Sequence, residues 1–556
     1  VAPVGGLSPI RRWAARKSAE FRRTGPARRV KRTGGMTATI SFVQSGCVSG
    51  VTAHDVRVEV SPVRGLPGFD LVGLPEAAVR ESRVRVLAAL RNSGFNLPEQ
   101  RYAVNLAPGD LRKAGSAFDL AIAIGLLSQC GMCAPTLLPQ TLIVGELSLD
   151  GRVRPVRGLL SQLKGARDRG LEAALIPDGG AGWARRVEGL DVRCVEHLRD
   201  AVAFLGGELK LPAPPELPEQ TPASHGDLGE VRGQEAAKRA LEVAAAGGHN
   251  LLMVGPPGTG KTMLARRLPG LLPPPTPREA LEIATIASAA GLSPERLPER
   301  PFRAPHHSCS DAALIGGGDP IRPGEITLAH GGVLFLDELP ELRRNVLEGL
   351  RPTMESGRAE IVRARDRVSM PAAPLLVAAM NPCPCGYAGH RRRVCRCAPD
   401  QIDRYRGRVS GPLLDRFDMH VRLPPMEVEE LESKPCGESS AEVRARVIAA
   451  RERAEARRSR EPCAVRPAEP ELMSLARQLE PMALRLLHRG MRELSLSLRA
   501  YGKALRVART IADLAGRDSV GADHVAEALQ YRLLDRASEP PVPRTAAEAR
   551  LAVTGR

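Results

Sequence analysis

No apolar run in the chain approaches the ~18 residues that a membrane-crossing helix takes, and no secretory signal is recognisable. Without such a signal, eleven cysteines, several of them clustered, point to a reducing cytoplasm and away from a disulfide-stapled secreted fold. Acidic residues are almost missing from the first 35 positions, where ten Lys/Arg face Glu20 alone and the local charge is +9. Only +8 of the total +17 is then left for the other 521 residues, a mildly basic body that suits nucleic acid without demanding it. The basic stretch has the look of a transit peptide. Because Met36 directly precedes the first strand-like run, residues 1–35 read instead as a disordered tail, or as a chain start set too far upstream.

What is present suffices for several domains, since 556 residues with 43% hydrophobic content can fill roughly three to four cores. From Thr37 to about Leu205, short β-like runs (Ile40–Val43, Val56–Val60, Tyr102–Leu106, Leu142–Val144, Ala174–Ile176) alternate with helical ones (Glu76–Asn92, Phe118–Gln129, Gly158–Arg169), which predicts an α/β domain over 36–206. Residues 207–226 are Gly-, Pro- and polar-rich and read as a linker. A nucleotide-binding core follows over 227–425, then a helical lid over 426–536 and a disordered tail over 537–556.

The core is organised around HNLLMVGPPGTGKT. Leu251 to Val254 supply a buried strand, and Gly255, Gly260, Lys261 and Thr262 match the G-x-x-x-x-G-K-[ST] pattern. Glycines let the backbone N–H groups of Gly255, Gly258, Thr259 and Gly260 close around phosphate oxygens, with Pro256 and Pro257 shaping the turn without donating. The helix that begins there favours negative charge. Lys261 is placed to reach the β/γ-phosphates and the Thr262 hydroxyl to ligate Mg²⁺, so ATP and Mg²⁺ are the expected cofactors. A second apolar strand ends in Asp337 and Glu338, the first suited to the Mg²⁺ water shell and the second to activating the attacking water. A third, Leu375 to Met380, ends in Asn381, whose amide can position that water.

GPLLDRFDMHV then puts Arg416 between Asp415 and Asp418. It reads either as a surface ion pair or as an arginine finger reaching the γ-phosphate of a neighbouring subunit, which requires an oligomer. In the amphipathic segment Leu494–Gly516, Arg499 is chosen as the lid residue that senses nucleotide, with Arg506 as the fallback. Glu360 to Met370 reads as a β-hairpin whose alternation sets Arg363, Arg365 and Arg367 on one face, for DNA phosphates or simply for water. The run Val443–Arg460, seven arginines against two glutamates behind a Ser439-x-x-Glu442 capping box, is open to the same two readings and to contact with a neighbouring lid. Cys383, Cys385, Cys395 and Cys397 can give four thiolates to Zn²⁺, with free thiols or a redox pair as the alternatives. His306, His307 and Ser308 offer no role beyond turn structure.

Two resemblances follow. RKAGSAFDLAIAIGLL and GELSLDGRVRPVRGLL in the first domain are similar to the Lon-protease segments that hold a nucleophilic serine and its lysine base. Ala117 and Leu160 stand at those two positions, so the resemblance implies the fold without the dyad; Ser116 with Lys164 would be a displaced substitute. GPPGTGKT, PHHSCSDAALIGGGDPIRPGEITLAHGGVLFLDELPE, AAMNPCPCGY, GPLLDRFDMHV and SLRAYGKALRVARTIADLAG together resemble the magnesium-chelatase-like AAA+ ATPases, and with the Lon-like domain the YifB/ComM branch, over about residues 36–535. That resemblance implies a homo-hexameric ATP-driven motor on branched or single-stranded DNA, promoting branch migration as incoming DNA is recombined. It implies no membrane partner. Two alternatives are an ATP-dependent protease or unfoldase, and a chaperone-like remodeller of recombination proteins.

Overall fold

The computed structural model describes residues 40–217, 225–292, 299–363, 367–390, 393–425, 437–460, 469–494 and 496–532. The 1–35 and 537–556 segments and Arg365 lie outside these. Among the described residues no helix is long and apolar enough to cross a membrane.

The N-terminal unit is built on a seven-stranded mixed sheet. Its strands are β1 (Ser41–Ser49), β2 (Thr52–Val63), β3 (Gly68–Val72), β4 (Arg101–Ala107), β5 (Thr141–Ile143), β8 (Ala173–Pro177) and β9 (Asp191–Val195), in the order β3-β4-β2-β1-β5-β8-β9. A small ribbon of β6 (Glu146–Leu147) and β7 (Val153–Arg154) stands apart. β4 buries every second residue, as a strand with one covered face does. Helices α1 (Ser82–Asn92), α2 (Asp119–Gln129) and α3 (Leu159–Asp168) cover the sheet. The single helix expected from Glu76 starts afresh at Ser82. Arg85 takes the Ala78 carbonyl and the Ser82 hydroxyl, at 3.2 and 3.1 Å, which competes with the helical ladder there.

The second sheet is wholly parallel: β10 (Leu251–Val254), β11 (Phe302–Arg303), β14 (Val333–Leu336), β17 (Leu375–Met380) and β18 (Met419–Arg422), in the order β11-β14-β17-β10-β18. β10 and β14 are buried along their whole length because helices cover both faces. Those used below are α4 (Glu235–Gly247), α5 (Lys261–Leu271), α6 (Pro277–Ala290) and α7 (Arg344–Ser356), followed by α8 (Ser440–Arg460) and α9 (Leu498–Leu514) of the helical C-terminal region. α6 starts on a full capping box between Thr276 and Glu279, with Pro277 in its first turn. Two hairpins leave the sheet between β11 and β17: β12 (Gly316–Gly317) with β13 (Arg322–Pro323), and β15 (Arg358–Val362) with β16 (Arg367–Pro371).

Among the described residues the units touch at α3–α6 and at the hairpins, where Arg112 also pairs with Asp319 at 3.2 Å. α3 packs on α6, with Leu159, Leu160 and Leu163 in one apolar cluster with Ala280 and Ala284. Val51, at the β1–β2 turn, packs on Ile321, Ile361, Val368 and Met370 of the two hairpins, and the Gly50 N–H donates to the Ile321 carbonyl at 3.3 Å. Part of the stretch read as linker is packed: Leu211 is buried, the Cys194 N–H donates to the Pro212 carbonyl at 3.0 Å, and Leu217 joins the α3–α6 cluster.

Candidate nucleotide site and its neighbours

The strand–turn–helix of the phosphate loop is formed by β10, Gly255–Gly260 and α5. Gly258 and Gly260 take φ of +81° and +83°, which glycine adopts without strain. At Gly255 any side chain would strike the Leu423 carbonyl at 2.8 Å. Thr259 closes the turn by donating to the Pro256 carbonyl at 2.9 Å. The Lys261 ammonium donates to the carbonyls of Gly255 (2.7 Å) and Pro256 (2.9 Å) and to Asn381 Oδ1 (3.2 Å). Burial lowers its pKa, against the pull of Asp337 and Glu338.

Thr262 Oγ1 donates to Asp337 Oδ2 at 2.8 Å, so the two groups read as Mg²⁺-binding stand together at the ends of α5 and β14. Glu338 is turned away: its backbone sits at φ +50° and its N–H donates back to Asp337 Oδ1 at 2.9 Å. Its carboxylate meets His307 Nδ1 at 3.0 Å, and the His307 ring lies 4.1 Å from that of His306. His307 was missed as a site residue. Only two adjacent histidines upstream of the acid pair hinted at it.

The loop, Thr262–Asp337 and Asn381 fit a Mg–triphosphate by chemistry: converging N–H groups at a helix start, an ammonium, a hydroxyl and a carboxylate. That places Lys261, Thr262, Asp337, Glu338 and Asn381 in one site. Arg416 and Arg499 are elsewhere. β10 and β18 run parallel with Leu251 beside Met419 and Val254 beside Arg422. Arg416 precedes that register and Lys261 follows it, so they stand at opposite ends of the sheet, at least ~10 Å of strand apart. Neither Asp415 nor Asp418 pairs with Arg416; the Glu355 carboxylate of α7 does. Asp418 is held instead by Lys503 of α9 at 3.3 Å and by the Asn250 N–H at 3.0 Å. Arg499, exposed in the first turn of α9, lies near Arg416 and not beside Lys261. Arg506 lies farther along α9, near His249 and Lys503.

The Arg363–Arg367 hairpin departs from the reading of one alternating face. Val362 pairs with Arg367, so Arg363 and Arg367 belong to opposite arms of the hairpin at its outer end, not to one strand; Arg365 lies outside the described residues. Arg367 is 74% exposed, 3.1 Å from Glu360, and Val362 beside it is 69% exposed. The Arg363 guanidinium lies close against Gly317, so the β12–β13 hairpin stands next to it. That second hairpin, hidden in GGGDPIRPG, was not anticipated.

The basic helix is corrected more fully. In α8, Arg446 pairs with Glu242 (2.6 Å), Arg451 caps the Ala245 carbonyl (2.6 Å), and Arg453 and Arg457 bind the Asp513 carbonyl and carboxylate (2.9 and 2.7 Å). These four cations fasten α8 to α4 and α9. In the N-terminal unit, Ser116 Oγ donates to the Glu146 carboxylate and not to an amine, while Ala117 and Leu160 are buried.

Cys383, Cys385, Cys395 and Cys397 converge, their sulfurs all within 4.8 Å of one another and three of them separated by 3.4, 3.7 and 3.6 Å. All four are free thiols. Burial raises the Cys385 thiol, but the N–H groups of Tyr387 and Arg396 and the adjacent thiols outweigh it and bring it down to about 6. The set can hold a metal ion, and it begins two residues after Asn381. Gly386 packs so closely on Pro257 of the phosphate loop that a side chain there would come within 2.6 Å of the ring.

Three family models cover most of this architecture: "Magnesium chelatase, subunit ChlI" over residues 227–431, "Subunit ChlI of Mg-chelatase" over 58–179, and "Magnesium chelatase, subunit ChlI C-terminal" over 437–532. Uncharacterized protein YifB of Escherichia coli strain K12 is 43% identical over 503 residues, covering 90% of this chain and 98% of the relative. Competence protein ComM of Haemophilus influenzae is 44% identical over 507 residues, with the same coverage. The chain belongs to the YifB/ComM family. The likeness to the magnesium-chelatase 67 kDa subunit of Heliobacterium mobile is weaker, 28% over 238 residues, or 37% of this chain and 34% of that subunit. A mixed α/β architecture with a parallel P-loop sheet is what YifB/ComM membership requires, and it points to ATPase activity with ATP and Mg²⁺.

Proposed function

We propose that this chain is one subunit of an ATP-driven ring, a homo-hexamer, that moves along DNA and promotes branch migration while incoming DNA is recombined. The observation that carries it is the separation of Arg416 from Lys261 by the length of the sheet. A cation suited to neutralising charge on the γ-phosphate, yet unable to reach its own subunit's nucleotide, belongs to a neighbour's site. Arg416 is held there firmly: the turn around it is bound by Lys503, by Asn250, and by Arg532, which donates to the Phe417 carbonyl at 2.9 Å. The exposed tip of Val362, Arg363 and Arg367, with the β12–β13 hairpin beside it, supports a nucleic-acid track. The likeness to a competence protein supports the setting.

The four cysteines are read as a Zn²⁺ site. Tetrahedral zinc with Zn–S near 2.3 Å sets sulfurs about 3.8 Å apart, close to the separations found here. Zinc would hold the loop after Asn381 against the phosphate loop. Purified protein is expected to carry one zinc per chain, measured by atomic emission, and Cys383→Ser to lose it.

The motor reading is tested with a labelled four-way junction. ATP hydrolysis is expected to rise several-fold on adding the junction, and its arms to be exchanged only with ATP present. Indifference to every DNA together with stimulation by an unfolded protein would favour the remodeller or unfoldase instead. A Ser–Lys protease reading has no support at Ser116, whose hydroxyl donates to the Glu146 carboxylate and not to an amine.

A further inference from the structure

Three guanidinium groups lie near one another at the end of the ATPase sheet remote from Lys261. Arg416 precedes β18, Arg499 opens α9, and Arg351 projects from the middle of α7. Glu348, Arg351 and Glu355 recur at i, i+3 and i+7, one face of α7. Glu355 binds Arg416 from that face, and Glu348 accepts from Arg351 Nη1 at 2.6 Å. Arg416 Nη1 also donates to the Pro412 carbonyl at 3.5 Å, but neither cation is fully satisfied. The Nε–H of Arg351 and the Nε–H of Arg416 are each buried with no acceptor. Burial, Arg499 and Arg351 together lower the pKa of Arg416. A cleft of about 470 Å³ runs on from Glu348 and is lined by Arg344, Arg404 and Arg408, and by Glu341, which pairs with Arg408 at 2.7 Å. Clustered cations with free donors, beside a basic cleft, call for an anion richer in oxygens than a carboxylate.

We propose that Arg351 is a further phosphate-contacting residue acting in trans, joining Arg416 and Arg499 around the terminal phosphates of the nucleotide held by a second copy of this chain, and that Glu355 is the counter-ion those phosphates displace. This rests on the ring reading above. Glu355 is 54% exposed and can swing away, whereas the Arg351 and Arg416 side chains are only 33% and 16% exposed. In the lone subunit the finger is neutralised; beside a loaded neighbour, one carboxylate is exchanged for a phosphate.

The test is ATP hydrolysis in mixed rings. Arg351→Ala alone is expected to lower kcat ten- to a hundred-fold, with Arg351→Lys recovering part of it and both variants melting like the parent. Mixing Arg351→Ala with Lys261→Ala should raise activity several-fold above the sum of the two preparations, since each Lys261→Ala subunit offers an intact Arg351 to its neighbour's nucleotide. Glu355→Gln should lower KM for ATP several-fold without lowering kcat, because the competing carboxylate is gone. An Arg416→Ala plus Lys261→Ala mixture runs in parallel. Rescue there but not with Arg351→Ala, full activity of Arg351→Ala, or a loss of kcat in Glu355→Gln would overturn the assignment of Arg351 and Glu355 alone. Rescue in neither mixture would overturn the trans reading itself.

Discussion

At Glu338 the backbone enters the left-handed region, uncommon outside glycine, and this turn parts two neighbouring carboxylates. Asp337 stays on Thr262 while Glu338 swings to His307, which holds it 3.0 Å away. Only the second stands clear of the Thr262–Asp337 pair, and it is the proposed base for the attacking water. Glu338→Gln is therefore expected to slow ATP hydrolysis about 10²- to 10³-fold while nucleotide binding, followed by a fluorescent ATP analogue, stays within a few-fold. Loss of binding and turnover together would instead make Glu338 part of the Mg²⁺ site. Lys261 and Thr262 were legible in the sequence because their motif encodes the conformation of a contiguous loop. His307 was not, since its partner lies 31 positions on in the chain and no spacing rule links them. Arg499 was legible as a lid arginine, but which end of the sheet it served depended on how α9 docks, and that is decided by Lys503 and Arg532 gripping the turn around Arg416.

Among the elements, the strands of the parallel sheet were the easiest to read, because an unbroken apolar run bounded by turns has few other homes. Charged elements were the hardest. The arginines of α8 look in sequence like a solvated or DNA-facing stripe, but Glu242, the Ala245 carbonyl and Asp513 wait for them on α4 and α9. The β15–β16 hairpin was found, yet Arg363 and Arg367, assigned to one face of one strand, lie on opposite arms. Arg363→Ala with Arg367→Ala should abolish DNA stimulation of ATP hydrolysis and spare the basal rate, both read in one coupled assay; equal loss of the two would remove the hairpin from the DNA track. For α3, the position where a Lon lysine would stand is Leu160, buried at the face packed on α6. Restoring the pair as Ala117→Ser with Leu160→Lys places an amine in that apolar contact and should destabilise the protein by about 3 kcal/mol or more, seen as a lowered Tm, with no peptidase activity gained.

Across the whole molecule, the two units are joined through apolar contacts at α3–α6 and through the β1–β2 turn beneath the hairpins, so the N-terminal unit braces the elements proposed to hold DNA. Acid should loosen the ATPase core. Burial lowers His249 to about 4, against Asp418 and with Arg506 and Lys503, and lowers His420 to about 3, with Arg532 and Lys503 adding to it. Both are neutral when folded but take up protons when unfolded below pH ~6.5, so stability is full above that value and falls as the pH drops toward 4. At pH 5 each costs about 2 kcal/mol relative to pH 7, which urea unfolding at the two pH values would register.

The central claim, that fuel bound by one subunit is spent with help from the next, is met most directly by measuring ATP turnover per chain as protein concentration rises, with a four-way junction present. The account predicts that turnover per chain climbs steeply as rings assemble and then levels off, and that Arg416→Ala stays low throughout while still assembling. A constant turnover per chain across the whole range, unchanged by Arg416→Ala, would contradict it.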